Sequence, residues 1–513
     1  MSRALTLAGL GLAGLPRRGP EAEPRISGLA IDSRAVREGD LFFALPGTVV
    51  DGARFAQYAV RQGAAAVVAT PTGAEILRAD LGGLPVPVVI TDSPRAALAH
   101  AAAAFWPRQP EVMVAVTGTN GKTSVAAFLR QIWAHAGHRA AAFGTTGVEG
   151  AGRELAGAIA HTTPEPLTLH RLLDRLAEAG ITHAAMEASS HGLVQHRTDG
   201  VRLAAGALTN IQRDHMDYHP THEDYVAAKL RLFAEVLPEG AAAVVAAAEP
   251  HGREVRALAE ARGLLFVGVG EGGALSVSER SFHGEGQRLT LGWMGERVPV
   301  SLDLVGPFQG DNAALAAGLA LATGTPPEAV FAALPRLTGV RGRMERVARR
   351  ANGAQIFVDY AHTPDALATA LAALRPHCAG RLIVVAGAGG DRDRGKRPLM
   401  GRAMDVGADH AIVTDDNPRS EDPAAIRAEV MAGCPEGEEI GDRTEAILAG
   451  VDALKGAGDC LLIAGKGHEQ GQEIGGQLLP FDDASQARAA VAALDGGLGE
   501  DGWDLDEETE GGP

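Results

Sequence analysis

Short apolar runs alternate along this chain with longer Ala/Leu-rich stretches of helical period, and each apolar run closes on glycine or on a cluster of polar residues. Val112-Met113-Val114-Ala115-Val116, rich in β-branched residues, predicts a strand; it ends in Thr117-Gly118-Thr119-Asn120-Gly121-Lys122-Thr123-Ser124, and a segment of helical character then runs to Gly137, a natural C-terminal cap. Between Ile26 and Ala104 the same alternation places strands near residues 64–69 and 86–90 among Ala-rich helices, and Pro107 to Pro110 reads as a linker. Leu167 to Gly180 predicts a helix and turn, followed by a strand that ends at Glu187. Val300 to Gly324 predicts a strand, a loop over residues 306–312 and an Ala/Leu helix that Asp311 or Asn312 caps. Beyond Pro335, strands end at Asp359, Ala386, Thr414 and Ala464, each on a polar cluster. Clusters recurring at the carboxyl ends of alternating strands describe an open α/β sheet with a ligand crevice along its rim.

Length and composition narrow this. A chain of 513 residues should hold about three domains at roughly 150 residues each. Abundant Ala and Gly with only 4% aromatics suits α/β layers better than a β-sandwich. The net charge of −17 argues against a general nucleic-acid binder. Cys378, Cys434 and Cys460 lack metal-ligand spacing and fit buried small hydrophobes in a reducing compartment. With no sustained apolar leader and no charge-free stretch of membrane length, a soluble, cytoplasmic, monomeric protein is expected. Residues 496–513 carry seven acids and no Lys or Arg, and read as a disordered, solvating tail.

The candidate chemistry centres on residues 117–124. Glycines let backbone N–H groups approach a polyphosphate, the helix N-terminus adds a favourable dipole, Lys122 supplies a point charge, and the Thr123 hydroxyl can ligate Mg²⁺. The strict eight-residue pattern fails, because its first glycine would fall at Val116. What remains is Gly-Thr-Asn-Gly-Lys-Thr, for which an ordinary strand-to-helix turn is the plain alternative. Glu187, at a neighbouring strand end, is where nucleotide-bound Mg²⁺ needs an oxygen. His215, amid Asp214 and Asp217, is equally a metal ligand or surface decoration. By pattern alone Lys229 is a solvated helix lysine, and Asp32-Ser33-Arg34 is a turn. His362 suits a structural hydrogen bond better than proton transfer.

Thr117 to Ser124, Met186 to Arg197, Asn210 to His219, Gly342 to Glu345, Asp359 to Asp365 and Gly465 to Glu469 together resemble the Mur ligases, in matching order over about residues 26 to 490. The likeness is to the branch that adds the third residue of the bacterial cell-wall stem peptide. It implies a small N-terminal α/β domain for UDP over residues 1–108, a central P-loop ATPase domain with a mostly parallel sheet over 109–335, and a C-terminal Rossmann-like domain for the amino acid over 336–495. Carried onto this chain, Ser33 would contact the uridine diphosphate, and Thr162, Thr163, Ser189, Gln195 and Arg197 would hold the muramoyl-dipeptide. Gly118, Thr119, Asn120, Gly121, Lys122, Thr123 and Ser124 would hold ATP, with Asn312 near adenine and Arg343 and Asp359 reaching the nucleotide from the C-terminal domain. Thr123 and Glu187 would ligate one Mg²⁺; Glu187, His215 and a Lys229 carbamylated by CO₂ would ligate a second. Carbamylation turns a cation that repels Mg²⁺ into an anionic oxygen ligand, and so reverses the reading of Lys229 by pattern alone.

Arg392, Asp416, Asn417, Arg419, Gly465 and Glu469 would form the amino-acid pocket. Arg419 suits the second carboxylate of meso-diaminopimelate, which the alternatives L-lysine and L-ornithine lack. The implied reaction is ATP-driven amide formation through an acyl phosphate, with Lys122, Glu187, His215 and Lys229 as its catalytic set. Folylpolyglutamate synthetase, a neighbouring Mur ligase and a non-catalytic nucleotide-binding scaffold are the alternatives; the Asp416-to-Arg419 cluster disfavours the first two, and the retained Lys122, Thr123, Glu187, His215 and Lys229 disfavour the third. Two stretches depart from the family: Thr48-Val49-Val50 is apolar where relatives carry polar residues against the pyrophosphate, and the strand at residues 244–248 lacks their Asn-Ala-Asp ending.

Overall fold

The strand Val112–Thr117 and the helix Lys122–His135 flank the phosphate loop. Gly121 sits at φ 87°, a left-handed conformation that the absence of a Cβ makes accessible, and the helix stops at Ala136, before Gly137 at φ 90°. Val125, Phe128, Leu129, Ile132 and Trp133 give the helix its buried face. The computed structural model describes residues 4–21, 23–47, 49–81, 83, 85–155, 161–212, 214–216 and 218–496. The tail over 497–513 and Thr48 of the UDP loop lie outside the described residues.

Around that strand the core of the central sheet runs in the order Leu265–Val269, Ala242–Ala246, Leu203–Leu208, Val112–Thr117, His183–Glu187, Ala140–Gly144, all parallel, with Gly147–Gly150 antiparallel at its edge. The chain passes from one side of Val112–Thr117 to the other between His183–Glu187 and Leu203–Leu208, so the phosphate loop leaves the sheet at a topological switch point. Register sets Val116 beside Glu187 and Thr117 beside Leu208, which brings three strand ends to one rim.

An N-terminal sheet has the order Arg17–Arg18, Val88–Ile90, Ala66–Ala69, Asp40–Phe43, Gly28–Ala30, with only the first strand antiparallel. A third sheet runs Glu345–Arg349, Gln355–Asp359, Cys460–Ala464, Leu382–Ala386, His410–Val413, Glu438–Glu439, parallel after its first pair. Its strand ends at Asp359, Ala386, Val413 and Ala464 lead into the four polar clusters expected from the sequence. Backbone contacts divide the chain into one unit of Met1–Ser278, Leu291–Val298 and Asp311–Leu334 and a second of Glu279–Thr290, Pro299–Gly310 and Pro335–Pro513.

Two expectations are corrected, the cap of the Ala/Leu helix and the pattern-only reading of Lys229. The Ala/Leu helix begins at Pro307 and runs to Ala322, so Asp311 and Asn312 lie inside it and cap nothing; a proline, lacking an N–H and fixed in φ, suits the first helical position. The Pro107-to-Pro110 connector is tied down: Gln109 donates to Gly200 O (3.0 Å) and accepts from Arg202 N (3.0 Å), while Arg108 pairs with Asp174 at 2.7 Å. Lys229 is not solvated but buried against the phosphate loop. The three cysteines are buried and unbridged, and no helix among the described residues is long and apolar enough to cross a membrane.

Candidate active site

The phosphate loop is cross-braced by the next strand end. Thr119 N donates to Asn210 O (2.7 Å), Asn120 N to Asn210 Oδ1 (3.1 Å), and Asn120 Nδ2 to Gln212 Oε1 (3.0 Å). At Gly118 a Cβ would run into Thr209 Oγ1, and at Gly121 it would meet Asn312 Oδ1 at 2.5 Å, so both positions need glycine for space as well as for φ. Asn312 thus packs against the loop itself. Lys122 Nζ donates to Gly118 O (3.0 Å) and Thr119 O (2.7 Å). An open depression of about 740 Å³ beside the loop is lined by Ile211, Gln212, Met216, Pro220, Thr221 and His222.

Lys229 also donates to Gly118 O, at 2.7 Å, and is 1% exposed. It lies on the helix His222–Arg231, capped by the Thr221 hydroxyl and followed by a π-helical turn over Leu232–Val236. Burial, then the nearby Lys122 cation, holds its amine well below the ordinary lysine pKa, against a smaller opposing pull from Asp214. Its Nζ sits 4.5 Å from the centre of the Tyr225 ring, whose hydroxyl shares a 2.9 Å hydrogen bond with Thr119. Tyr225 was not singled out from the sequence, where it reads as one apolar position among many.

At the neighbouring strand end, Glu187 Oε1 accepts from Thr123 Oγ1 (3.1 Å) and Thr145 N (2.8 Å). Thr145 Oγ1 reaches Thr162 Oγ1 (3.0 Å), and Thr163 Oγ1 donates to Glu187 O (3.0 Å) and accepts from Ser189 N (2.9 Å). Arg197 donates to Thr163 O (2.8 Å) and Gln195 Oε1 (2.8 Å) and pairs with Glu165 at 2.6 Å. One hydrogen-bonded network therefore joins Thr123, Glu187, Thr162, Thr163, Ser189, Gln195 and Arg197. Thr145, its unanticipated member, follows the strand Ala140–Gly144, whose carboxyl end was the signal available. His215 is held by Asp214 (3.5 Å) and lies 5.0 Å, ring to ring, from His191. Among the described residues no three His, Cys, Asp or Glu side chains gather as a metal cradle. In the N-terminal sheet region Ser33 is buried in a short 3₁₀ turn capped by Asp32.

The second unit has its own cluster. Asn417 Nδ2 donates to Glu469 Oε2 (3.0 Å), and Arg419, in left-handed backbone at φ 54°, donates to Gly390 O (2.8 Å) and pairs with Glu473 at 3.1 Å. Both Arg419 and Arg392 crowd Gly389, where a Cβ would meet Arg419 Nη1 at 3.0 Å and Arg392 Cγ at 3.9 Å. Gly465, at φ 115°, leaves room for Asp416 Oδ2, which a Cβ would meet at 2.5 Å. The six residues expected to receive an amino acid are thus neighbours. Lys466, which was not singled out, lies buried at their centre. Asp359 accepts from Met344 N (2.7 Å) and Ala361 N (2.9 Å), and burial raises its pKa. The Arg343 guanidinium stacks 4.5 Å from the Tyr360 ring, and His362 bonds Tyr360 O (2.8 Å).

Comparison with known proteins covers most of the chain. Residues 25–106 match the model described as Mur ligase family, catalytic domain, 116–320 the Mur ligase middle domain, and 342–467 the Mur ligase, glutamate ligase domain. A protein of Bradyrhizobium diazoefficiens named "UDP-N-acetylmuramoyl-L-alanyl-D-glutamate--2,6-diaminopimelate ligase" is 52% identical over 475 residues, 91% of this chain and 95% of its own. One of the same name from Mesorhizobium japonicum is 52% identical over 94% of this chain and 98% of its own. A solved structure bearing that name has a TM-score of 0.70 at 32% identity, covering 96% of this chain and 99% of the other. The fold alone is shared with a MurF ligase of Thermotoga maritima in complex with ADP, at 19% identity and a TM-score of 0.60, covering 92% of this chain and 98% of the other. Three α/β domains matched in order, and relatives half identical over nine tenths of the chain, place it among enzymes that form amide bonds: the chain belongs to the Mur ligase family.

Proposed function

We propose that this ligase joins meso-diaminopimelate to UDP-N-acetylmuramoyl-L-alanyl-D-glutamate at the cost of ATP, in the cytoplasm. The observation that carries the reading is the pairing of Arg419 and Arg392 at Gly389 with the Asn417–Glu469 contact. Guanidinium groups suit the distal carboxylate of diaminopimelate, and the carboxylate of Glu469, oriented by the Asn417 amide, suits its distal ammonium. The names of the relatives support the same substrate pair.

In this reading the dipeptide's terminal carboxylate attacks the γ-phosphate, giving an acyl phosphate and ADP, and the amine then displaces phosphate. Backbone N–H groups of the loop cradle the phosphates, and Lys122 swings from its loop carbonyls to neutralise the phosphoryl oxygens. Thr163, Ser189, Gln195 and Arg197 orient the dipeptide. Magnesium fits the hard oxygen donors of Thr123 and Glu187, 3.1 Å apart, and when bound would supply further charge neutralisation there. Lys229 fits the carbamate assignment because burial lowers its proton affinity and so favours the neutral amine, the form that adds CO₂; with Glu187 and His215 it would hold a second ion. The test offers diaminopimelate, L-lysine and L-ornithine together with ATP, Mg²⁺ and the UDP-dipeptide. Diaminopimelate should dominate the product, and incorporation of lysine or ornithine instead would overturn the reading.

A further inference from the structure

Lys466 has no part in the reaction described above, yet it is 0% exposed and its ammonium stands among three side chains of the amino-acid pocket. Its Nζ donates to Asn417 Oδ1 (2.8 Å) and lies 3.6 Å from Glu469 Oε2 and 3.8 Å from Asp416 Oδ1. We propose that Lys466 is the positioning residue of the amino-acid pocket, fixing the Asn417 amide and the Glu469 carboxylate in the arrangement that receives the distal end of the substrate.

The geometry carries this in three steps. An asparagine amide can face either way, and what decides is its surroundings. Asn417 Oδ1 meets two donors, Lys466 Nζ and Glu473 N (2.9 Å), so its NH₂ must turn to Glu469. Lys466, together with Glu473 N, therefore sets which face of Asn417 a ligand meets. Next, the local sequence is shaped to drive this lysine inward. Gly465 and Gly467 flank it at φ 115° and 55°; side chains there would strike Asp416 Oδ2 and the Tyr360 Cβ, so the backbone can pass close to both only with glycine at these positions. Finally, a buried ammonium is retained only against compensation. Burial lowers its proton affinity, and Asp416 and Glu469 push it back up, so the lysine is tied electrostatically to the two carboxylates that the substrate would meet. Without it, Asn417 Oδ1 keeps only the Glu473 N donor, and two carboxylates face the pocket with one counter-charge fewer.

The inference rests on the amino-acid pocket proposed above, and the test separates the two. Steady-state kinetics of the full-length wild type, Lys466→Met and Lys466→Gln are measured with each substrate varied in turn. Positional isotope exchange in ATP, with the UDP-dipeptide but no amino acid, is measured beside them. Lys466→Met should raise KM for diaminopimelate about tenfold or more, while KM for ATP and for the UDP-dipeptide, and the exchange rate, stay within about twofold. Lys466→Gln, which keeps an N–H donor, should recover part of that affinity. An unchanged KM for diaminopimelate in folded Lys466→Met overturns the proposal. So does a uniform loss across all substrates, or insolubility of both variants, since either makes the lysine structural. Wild-type enzyme that ligates no diaminopimelate would instead fail the functional reading itself.

Discussion

A lysine buried as deeply as Lys229 costs stability unless it does something that a neutral side chain cannot. Because its folded pKa lies below the ordinary value, the unfolded chain binds more protons between the folded and unfolded pKa values, and in that window the contribution of this residue to stability rises as pH climbs toward the unfolded lysine pKa near ~10.4. Lys229→Met should thus lose ligation by roughly a hundredfold or more while melting no lower than wild type in CO₂-free buffer at pH 7. The stability gap between the two should narrow at higher pH. Lys229→Ala should regain activity with short carboxylic acids that fill the vacated oxygen positions; normal ligation without them would remove the carbamate role. Lys122 is the converse case, a partly exposed lysine resting on two loop carbonyls. Lys122→Ala should leave the fold intact and abolish ADP release, and an unchanged rate would refute its place at the phosphates. Neither burial was legible in the sequence. Residues 224–233 show the same helical spacing whether Lys229 points to water or beneath Gly118, and only the family resemblance separated the two.

Among the elements, the parallel strands were the legible part, because a short apolar run that closes on a polar cluster is too brief for a helix and fits a buried strand reaching the rim of its sheet. Leu382–Ala386 and Gln355–Asp359 end where the pattern places them, and residues 64–69 and 86–90 hold the strands Ala66–Ala69 and Val88–Ile90. The start of the helix at Pro307 was missed, since Gly306-Pro307 reads as a turn until the proline is recognised as the first helical residue. Long-range ties were beyond reach. Arg443 and Asp483 form a fully buried ion pair at 2.7 Å, 40 positions apart, and Arg443 also donates to Ala464 O (3.0 Å) and Asp415 O (3.3 Å). This pair clamps the helix Asp483–Leu494 to the two strand ends that carry Gly465 and Asp416. Asp483→Ala strands a buried guanidinium and should destabilise the second unit by about 3–5 kcal/mol in denaturant unfolding. A Met/Leu replacement of both partners should recover most of that stability without restoring the pocket, visible as a raised KM for the amino acid; a neutral effect of Asp483→Ala would mean the pair is not what holds those loops.

For the molecule as a whole, the two halves of the proposed reaction fall to different units of the chain. Lys122, Thr123, Glu187 and Lys229 belong to the first, and Arg392, Asp416, Asn417, Arg419, Gly465 and Glu469 to the second. In the proposed reaction the groups that act on the γ-phosphate are the first set and those that choose the amino acid are the second, so single substitutions should separate the steps. Arg419→Ala should leave positional isotope exchange in ATP, measured with the UDP-dipeptide alone, near the wild-type rate. The same variant should lose diaminopimelate discrimination over L-lysine by about tenfold or more, because the distal carboxylate then lacks its charge-assisted partner. Part of the guanidinium is already engaged by Glu473 and Gly390, which orients the fork but leaves its other N–H groups for a ligand. Lys122→Ala should show the opposite pattern, losing isotope exchange while retaining amino-acid binding in calorimetry. If Arg419→Ala lost isotope exchange and selectivity together, amino-acid recognition and phosphoryl transfer would be one event, and the assignment of each step to its own unit would fall.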